Sequence, residues 1–445
     1  MKANGGMSRR QFISLAGATI LGLGIVGCAD NSATSSSDSG DAASSDSSSE
    51  ATGKVYYLNF KPEVDEAWKA LAKTYTEQTG VDVQIVTAAS GTYEEKLTSE
   101  MPKSSAPTLF QISGYVGLEN WKDYCLDLSD SDVYKELANP DLVLKDGDQI
   151  DAVGFVQENF GIVYNKALLT KAGYSESDIT DFASLKKVAD DIQARKDEIG
   201  VKGAFVSSGL DSSSSWRFTN HTANMPLALE FEEDGVTNPD TIKGTYLPNY
   251  KDIFDLYITD STCDKAELSA KTADDAVSEF VNGEAVFYQN GDWGYKDIKS
   301  IGDENIGLLP LYIGAGDEAK QGPCSGTENY WAVNADASEE DQKATLDFLK
   351  WVVTSDEGTA AMADDMGFNC PFKSSKESDN PITKAATDMI KGGKKAVSWA
   401  FAVQPNQEYR DDLANALNKY AAGGSWDDVK TAFVDNWATE KAANK

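Results

Sequence analysis

The stretch Lys54–Val86, KVYYLNFKPEVDEAWKALAKTYTEQTGVDVQIV, decides the fold. Residues 54–60 are rich in β-branched and aromatic side chains, which favours a strand. From Pro62, a residue suited to a first helical turn, apolar side chains recur every three or four positions until Gly80, which suits a helix end. Residues 81–86 then alternate in polarity like a second strand. A strand, a helix and a strand in this order predict a βαβ unit with parallel strands and a right-handed crossover.

The rest of the chain alternates in the same way, which predicts an α/β fold. Predicted strands cover 108–112, 155–165, 203–206 and 285–288. Predicted helices cover 93–101, 184–199, 254–258, 273–281, 411–420 and 426–437, and Ser338–Asp341 is typical of a capped helix start. Asp146-Gly147-Asp148 indicates a polar hairpin turn, because the full ligand set of a calcium loop is missing.

Composition excludes several classes of protein. The 445 residues carry 72 acidic and 40 basic side chains and one histidine, for a net charge of −32. Such an acidic surface repels phosphate backbones, so we expect no nucleic-acid partner. A hydrophobic content of 41% argues against disorder, and a single histidine argues against a His-rich metal site or a Ser–His–Asp hydrolase. Without an HExxH, GxSxG or P-loop motif, we expect no enzyme, no metal and no cofactor.

The N-terminal segment is typical of export. Residues 1–28 combine Arg9 and Arg10 with the apolar stretch Phe12–Val26, which has the length of a signal peptide. The motif around the two arginines resembles a twin-arginine signal, and Ile25-Val26-Gly27-Cys28 resembles a lipobox whose cysteine receives a lipid. An ordinary secretory signal with a chance cysteine is the alternative. Residues 29–53 are rich in Ser, Ala and Asp, which predicts a flexible tether.

Four further cysteines, Cys125, Cys263, Cys324 and Cys370, form an even number in an exported chain. Four cysteines can pair in three ways, and we favour the pairing that includes a bridge between Cys324 and Cys370. Free buried thiols are the alternative.

Several stretches in a fixed order carry a family resemblance. They are Phe160–Lys166 with Ala172–Tyr174, Phe280–Phe287 with Gly291–Trp293, Ala344–Gly358, and Gly367–Pro371. From Lys54 to the C-terminus the chain resembles the solute-binding proteins of ABC importers, of the maltodextrin-binding type. One departure is Pro107-Thr108-Leu109, where the family often has Pro-Asp-Val.

The resemblance implies a two-lobed, type II periplasmic-binding-protein fold. Each lobe would hold a mixed, mainly parallel sheet flanked by helices, with a hinge between the lobes. The implied lobes comprise 54–165 with 312–354 and 166–311 with 355–445. The implied function is capture of a carbohydrate, in particular an oligosaccharide, and its delivery to the permease subunits of an ABC importer. We expect a monomer that is lipid-anchored at the extracellular face of the cell membrane.

A sugar site needs aromatic platforms and polar groups that reach the sugar's edge. Trp293 follows a strand and matches the family's Gly-x-Trp, Trp216 lies in a polar loop beside Arg217, and Trp399 lies where relatives place a ligand aromatic. We predict these three indoles as platforms and Arg217 as a hydroxyl donor. The predicted polar edge consists of Glu63, Tyr115, Glu158, Asp292, Glu328 and Asn329. His221 is expected to make a structural hydrogen bond, with ligand contact as the alternative.

Other functions stay open at this point. The same class of protein could bind a polyol, a phosphorylated polyol or a peptide. A surface enzyme and an adhesion lipoprotein are the rivals from other classes.

Overall fold

The computed structural model describes residues 53–207 and 209–443. The predicted leader, Cys28 and most of the tether lie outside these residues. The described chain forms two six-stranded sheets with helices packed on their faces. None of the helices in this part of the chain is long and apolar enough to cross a membrane.

The first sheet contains the βαβ unit that opens the described chain. Its strands are β1 (Val55–Asn59), β2 (Val83–Thr87), β3 (Leu109–Ser113), β4 (Val143–Asp146), β5 (Gln149–Gly154) and β11 (Asn329–Val333), in the order β2-β1-β3-β11-β5-β4. Strands β1 and β2 are parallel, with Val55 opposite Val83. Helix α1 (Asp65–Thr79) connects them and ends at Gly80, whose φ of 77° is the left-handed conformation that glycine adopts readily. The βαβ prediction is therefore confirmed.

The second sheet is assembled from strands far apart in sequence. Its strands are β6 (Glu158–Asn165), β7 (Gly203–Phe205), β8 (Ala285–Gly291), β9 (Ile306–Leu309), β10 (Gln321–Gly326) and β12 (Lys395–Ser398). Their order is β12-β10-β6-β8-β7, and β9 pairs with β6. Every residue of β6 and β8 is buried, so these two strands form the centre of this half of the molecule.

The expectation that each sheet is mainly parallel is wrong in detail, although both sheets are mixed. Among the described strands, each sheet has two parallel and three antiparallel pairings. Parallel neighbours need a long crossover connection, whereas β4 and β5 form a tight hairpin. Strand β5 also runs almost directly into β6, and β10 into β11, so the chain passes between the sheets without a crossover helix.

The chain passes from one sheet to the other at positions that differ from the predicted lobe boundaries at residues 165, 312 and 354. Strands β6 and β10 both lie in the second sheet. The segment 361–372 packs on the core of the first sheet, through Met362, Phe368 and Phe372. The passages between the sheets therefore fall at 155–157, at 327–328 and between 373 and 380. Sequence patterns could not place them, because strand pairing is decided by contacts between distant residues.

Helices cover both faces of each sheet. Besides α1 they are α2 (Tyr93–Glu100), α3 (Gly114–Trp121), α4 (Asp132–Glu136), α5 (Lys166–Lys171), α6 (Phe182–Ala194), α7 (Lys196–Ile199), α8 (Ala223–Asp234), α9 (Leu247–Thr259), α10 (Ala273–Val281), α11 (Tyr295–Ile298), α12 (Glu339–Thr354), α13 (Asp356–Ala360), α14 (Pro381–Lys391), α15 (Gln407–Ala421), α16 (Trp426–Lys430) and α17 (Asn436–Ala443). Wider π-helical turns cover Arg217–Thr222, Ala361–Asp365 and Thr431–Asp435. As predicted, Ser338 caps α12, its Oγ accepting from the backbone N–H of Asp341 at 3.2 Å.

The predicted bridge between Cys324 and Cys370 is wrong. All four described cysteines, which include Cys125 and Cys263, are free thiols. Cys324 is buried in the core of the second sheet, with its Sγ 3.5 Å from the sulfur of Met225. Cys370 packs against the core of the first sheet instead. The two thiols belong to different cores, and each behaves as a small apolar side chain.

Candidate functional site

The first feature of the site is a buried ion pair between the two sheets. Lys61 follows β1, and its Nζ lies 2.5 Å from Oε1 of Glu158, the first residue of β6. Glu63 lies 3.6 Å from the same ammonium. Burial alone would lower the pKa of Lys61, but the charges of Glu158 and Glu63 raise it above its ordinary value. Burial raises the pKa of Glu63, and the nearby Lys61 charge lowers it in part.

Asp292 lies at the end of β8, but its carboxylate is already used within the protein. Its Oδ2 accepts from the backbone N–H and Nδ2 of Asn159 at 3.1 and 2.9 Å, and from Oγ1 of Thr383 at 3.1 Å. Burial, followed by the charge of Glu158, raises the pKa of Asp292 to about 7. The side chain joins β8 to β6 and α14. Its predicted contact with a ligand stays a prediction.

Six rings of the second half of the molecule form a cluster that we call the aromatic wall. Its members are Phe160, Trp216, His221, Trp293, Trp399 and Phe401. The wall therefore brings together the three indoles that the sequence predicts as platforms. Trp216 and Trp293 meet edge to face, with ring centres 6.1 Å apart. His221 stacks on Phe160, with ring centres 4.2 Å apart and planes 16° apart.

Two glycines let indoles of the wall lie directly on the backbone. A side chain at Gly291 would collide with the ring of Trp293, and one at Gly326 would collide with the ring of Trp399. Gly291 therefore serves the close approach of the Trp293 ring, since its φ of −129° is open to any residue.

Arg217 is directed into the protein behind the wall. It is 3% exposed, and its two terminal nitrogens donate to the carbonyl of Gln289 at 2.9 Å and to Oη of Tyr288 at 2.7 Å. Its guanidinium carbon lies 4.3 Å from the ring centre of Trp216, which is a cation–π contact. Burial lowers the pKa of Arg217. The arrangement holds Trp216 in place, and the predicted donation to a ligand hydroxyl stays a prediction.

Three other predicted site residues lie on or beside strands of the first sheet. Glu328 precedes β11, and its Oε1 lies 3.8 Å from Nη1 of Arg410 on α15. Burial raises the pKa of Glu328, and the Arg410 charge lowers it in part. Asn329 is buried and accepts from Oγ of Ser113 at 3.4 Å. Tyr115, in the first turn of α3, is 50% exposed and is the most open of the predicted site residues.

Loops of the two halves touch around this site. Ser90, which follows β2, donates from its Oγ to the carbonyl of Ser213 at 3.3 Å. Lys296 of α11 donates to the carbonyl of Asp364 at 2.5 Å. Together with the contact between Glu328 and Arg410, these bonds hold the two halves of the described chain together.

Sequence reasoning missed Lys61 and Arg410. Lys61 follows a predicted strand directly, so its position could have marked it as a cleft residue. Arg410 lies on a regular helix, and only the packing of α15 beside the first half of the chain brings it near Glu328. Within the described ranges, no three His, Cys, Asp or Glu side chains are arranged to hold a metal ion.

The described chain therefore combines two mixed sheets with an aromatic wall and a buried ion pair between Lys61 and Glu158. A model of the family described as bacterial extracellular solute-binding protein matches residues 70–391. This match covers more than half of the chain, so the chain belongs to that family. Its members are exported, and the resemblance found in the sequence is confirmed.

Solved structures share this fold. The protein RafE in complex with raffinose has a TM-score of 0.71 and 15% identity, over 88% of this chain and 100% of that one. The GacH receptor of Streptomyces glaucescens, described unliganded and with acarbose, has a TM-score of 0.67 and 18% identity, over 89% and 100%. A sugar transporter from Bacillus licheniformis in complex with stachyose has a TM-score of 0.66 and 19% identity, over 87% and 100%. These likenesses establish the two-lobed periplasmic-binding-protein fold.

Proposed function

We propose that this protein captures an oligosaccharide in the cleft between its two sheets and delivers it to an ABC importer. The observation that carries the proposal is the aromatic wall, which brings three indoles together around one imidazole. A sugar presents apolar C–H faces, which stack on indoles, and hydroxyls, which need carboxylates and amides at its edge. The similar structures described with raffinose, acarbose and stachyose support an oligosaccharide as the ligand.

The roles of the predicted residues divide into three groups. Trp216, Trp293 and Trp399 supply the platforms. Glu63, Tyr115, Glu328 and Asn329 supply the polar edge. Arg217, Glu158 and Asp292 act by positioning, because their polar atoms already bond to neighbours within the protein.

Anchoring and export follow from the N-terminal sequence. We infer that Cys28 carries the lipid, that residues 29–53 tether the body to the extracellular face of the membrane, and that the twin-arginine motif directs export. Loss of the basic leader makes the mature chain more negative than −32, so an anionic bilayer repels the body and the lipid must hold it there. A monomer suffices, because both faces of the cleft come from one chain.

Binding calorimetry across solute classes tests the proposal. The panel comprises raffinose, stachyose, maltotriose, chitotriose, glycerol, glycerol phosphate and a tripeptide. We expect saturable one-to-one binding of at least one oligosaccharide and no binding of the other solutes. If only glycerol, glycerol phosphate or the tripeptide binds, the ligand belongs to that class of solute instead, and the protein family stays the same. Hydrolysis of a bound saccharide would favour an enzyme, and no binding by the whole panel would favour an adhesion protein.

The variant Trp293→Ala tests whether the oligosaccharide binds at the aromatic wall. The variant removes a stacking surface, so we expect oligosaccharide affinity to fall about ten-fold or more. Trp351→Ala is the matched control, because this partly buried indole lies on α12 and packs against Tyr75, away from the wall. Equal affinity in the Trp293 variant and the wild type would contradict the proposed site.

A further inference from the structure

The only histidine of the chain lies at the centre of the aromatic wall. His221 is 5% exposed, and its ring contacts every other member of the wall. The distances between ring centres are 4.2 Å to Phe160, 4.8 Å to Trp216, 5.1 Å to Trp293, 5.4 Å to Phe401 and 6.4 Å to Trp399. All three proposed platforms therefore surround one imidazole.

This imidazole has a buried nitrogen without a partner. Nδ1 of His221 is inaccessible to solvent and makes no hydrogen bond in the described structure. The same is true of Nε1 of Trp399, in a neighbouring ring of the wall. Leaving a buried polar atom unpaired costs about 1–3 kcal/mol, so such atoms normally find a partner. The wall thus holds two buried polar atoms that have no hydrogen-bond partner among the described residues.

The chemistry of the imidazole suits a hydroxyl partner. Burial, followed by the charges of Arg217, Arg410 and Lys61, lowers the pKa of His221 well below its ordinary value. The ring is therefore neutral, with one nitrogen that donates and one that accepts. A sugar hydroxyl both donates and accepts, so it can pair with either nitrogen.

The local backbone also sets His221 apart. The residue lies in the π-helical turn Arg217–Thr222, and such wide turns occur frequently at functional sites. Phenylalanine would fill the same space among the rings without an unpaired polar atom. A purely structural role would therefore favour an apolar ring at this position.

We propose that His221 is a ligand-binding residue that hydrogen-bonds a hydroxyl of the captured saccharide. The inference rests on the proposed function and adds a specificity contact to it. The indoles fix the plane of the sugar ring, and the imidazole recognises one hydroxyl on its edge. A saccharide that lacks this hydroxyl leaves the nitrogen unpaired and binds more weakly.

Because the chain has one histidine, ¹⁵N-histidine labelling gives a single pair of imidazole nitrogen signals. Stachyose, raffinose, maltotriose and chitotriose are added in turn, and calorimetry on the same samples gives the affinities. We expect the saccharide that binds to shift a ring-nitrogen resonance, with saturation at the calorimetric dissociation constant. We expect His221→Phe, which keeps the stacking with Phe160, to lower the affinity about ten-fold, and His221→Gln to restore part of the loss.

The outcomes separate the inference from the function it rests on. Saccharide binding with unchanged imidazole signals and full affinity in His221→Phe would overturn the inference and leave the proposed function intact. No binding by any of the four saccharides would overturn both. Should His221→Phe fail to fold, as judged by circular dichroism, the nitrogen shift of the wild-type protein decides by itself.

Discussion

Lys61 and Glu158 join the two sheets through a contact of 2.5 Å between Nζ and Oε1. Both side chains are about 95% buried, and 97 positions of sequence separate them. An ammonium and a carboxylate that are buried away from water remain charged only when they form an ion pair with each other. The pair therefore sets the relative position of the loop after β1 and the start of β6.

Glu158→Gln should destabilise the protein. The substitution leaves the Lys61 ammonium buried with only the more distant Glu63 carboxylate, so we expect a loss of about 3 kcal/mol in the free energy of unfolding. Urea unfolding measures this loss. Removing both charges, in Lys61→Met with Glu158→Gln, should cost less than the single change. Lys384→Gln, which breaks the exposed pair with Asp379, should leave the stability unchanged. Equal stabilities of Glu158→Gln and the wild type would contradict this role.

Arg217→Lys should weaken saccharide binding without removing a ligand contact. The lysine keeps the charge but loses the planar stack on Trp216 and the forked bonds to β8, so Trp216 gains freedom. We expect affinity to fall several-fold in calorimetry. In the Trp216→Ala background the same change should have no further effect, because the platform that Arg217 holds is already gone. Additive losses in the double variant would show that Arg217 acts on the ligand directly.

The pH dependence of stability should carry a contribution from Asp292. Its pKa rises from 3.8 in the unfolded chain to about 7 in the folded protein, chiefly through burial. The folded state therefore holds the proton more tightly, and this stabilising contribution is complete below pH 3.8 and is lost as pH rises through about 7. Relative to Asp292→Asn, the melting temperature of the wild type should fall as pH rises from about 4 to about 7. Parallel curves for the two proteins over this range would contradict the assignment.

The free cysteines predict insensitivity to reductant. A chain that begins at Lys54 should show the same melting temperature with and without dithiothreitol, since no disulfide contributes to its stability. Alkylation after denaturation, without prior reduction, should label all four cysteines in the mass spectrum. Labelling of only two until a reductant is added would show that a bridge forms.

Local patterns predicted several elements of the fold correctly. Pro62 and Gly80 bracket a helix at their predicted places, because sequence-local preferences and burial favour the same structure there. The turn at Gly147 joins β4 and β5 as expected, with a positive φ of 62°. Such features depend on residues a few positions apart, which a sequence displays directly.

Long-range features were beyond sequence reasoning. The sheet to which β6 belongs depends on its pairing with β8, more than 120 positions away. The sequence marked Arg217 as a polar residue beside a tryptophan, but its bonds to Tyr288 and Gln289 were visible only in the structure. His221 could be weighed only once the rings around it were known. The sequence therefore offered candidate residues, and the contacts among them became visible only in the structure.

A crystal structure of the protein with stachyose, or with another saccharide that calorimetry shows to bind, tests the central claim most directly. We predict a sugar ring stacked on the indole of Trp293 or Trp216, with hydroxyls reaching Glu63 or Glu328 across the cleft between the sheets. A saccharide bound on the outer surface, with the three indoles of the aromatic wall untouched, would contradict the claim.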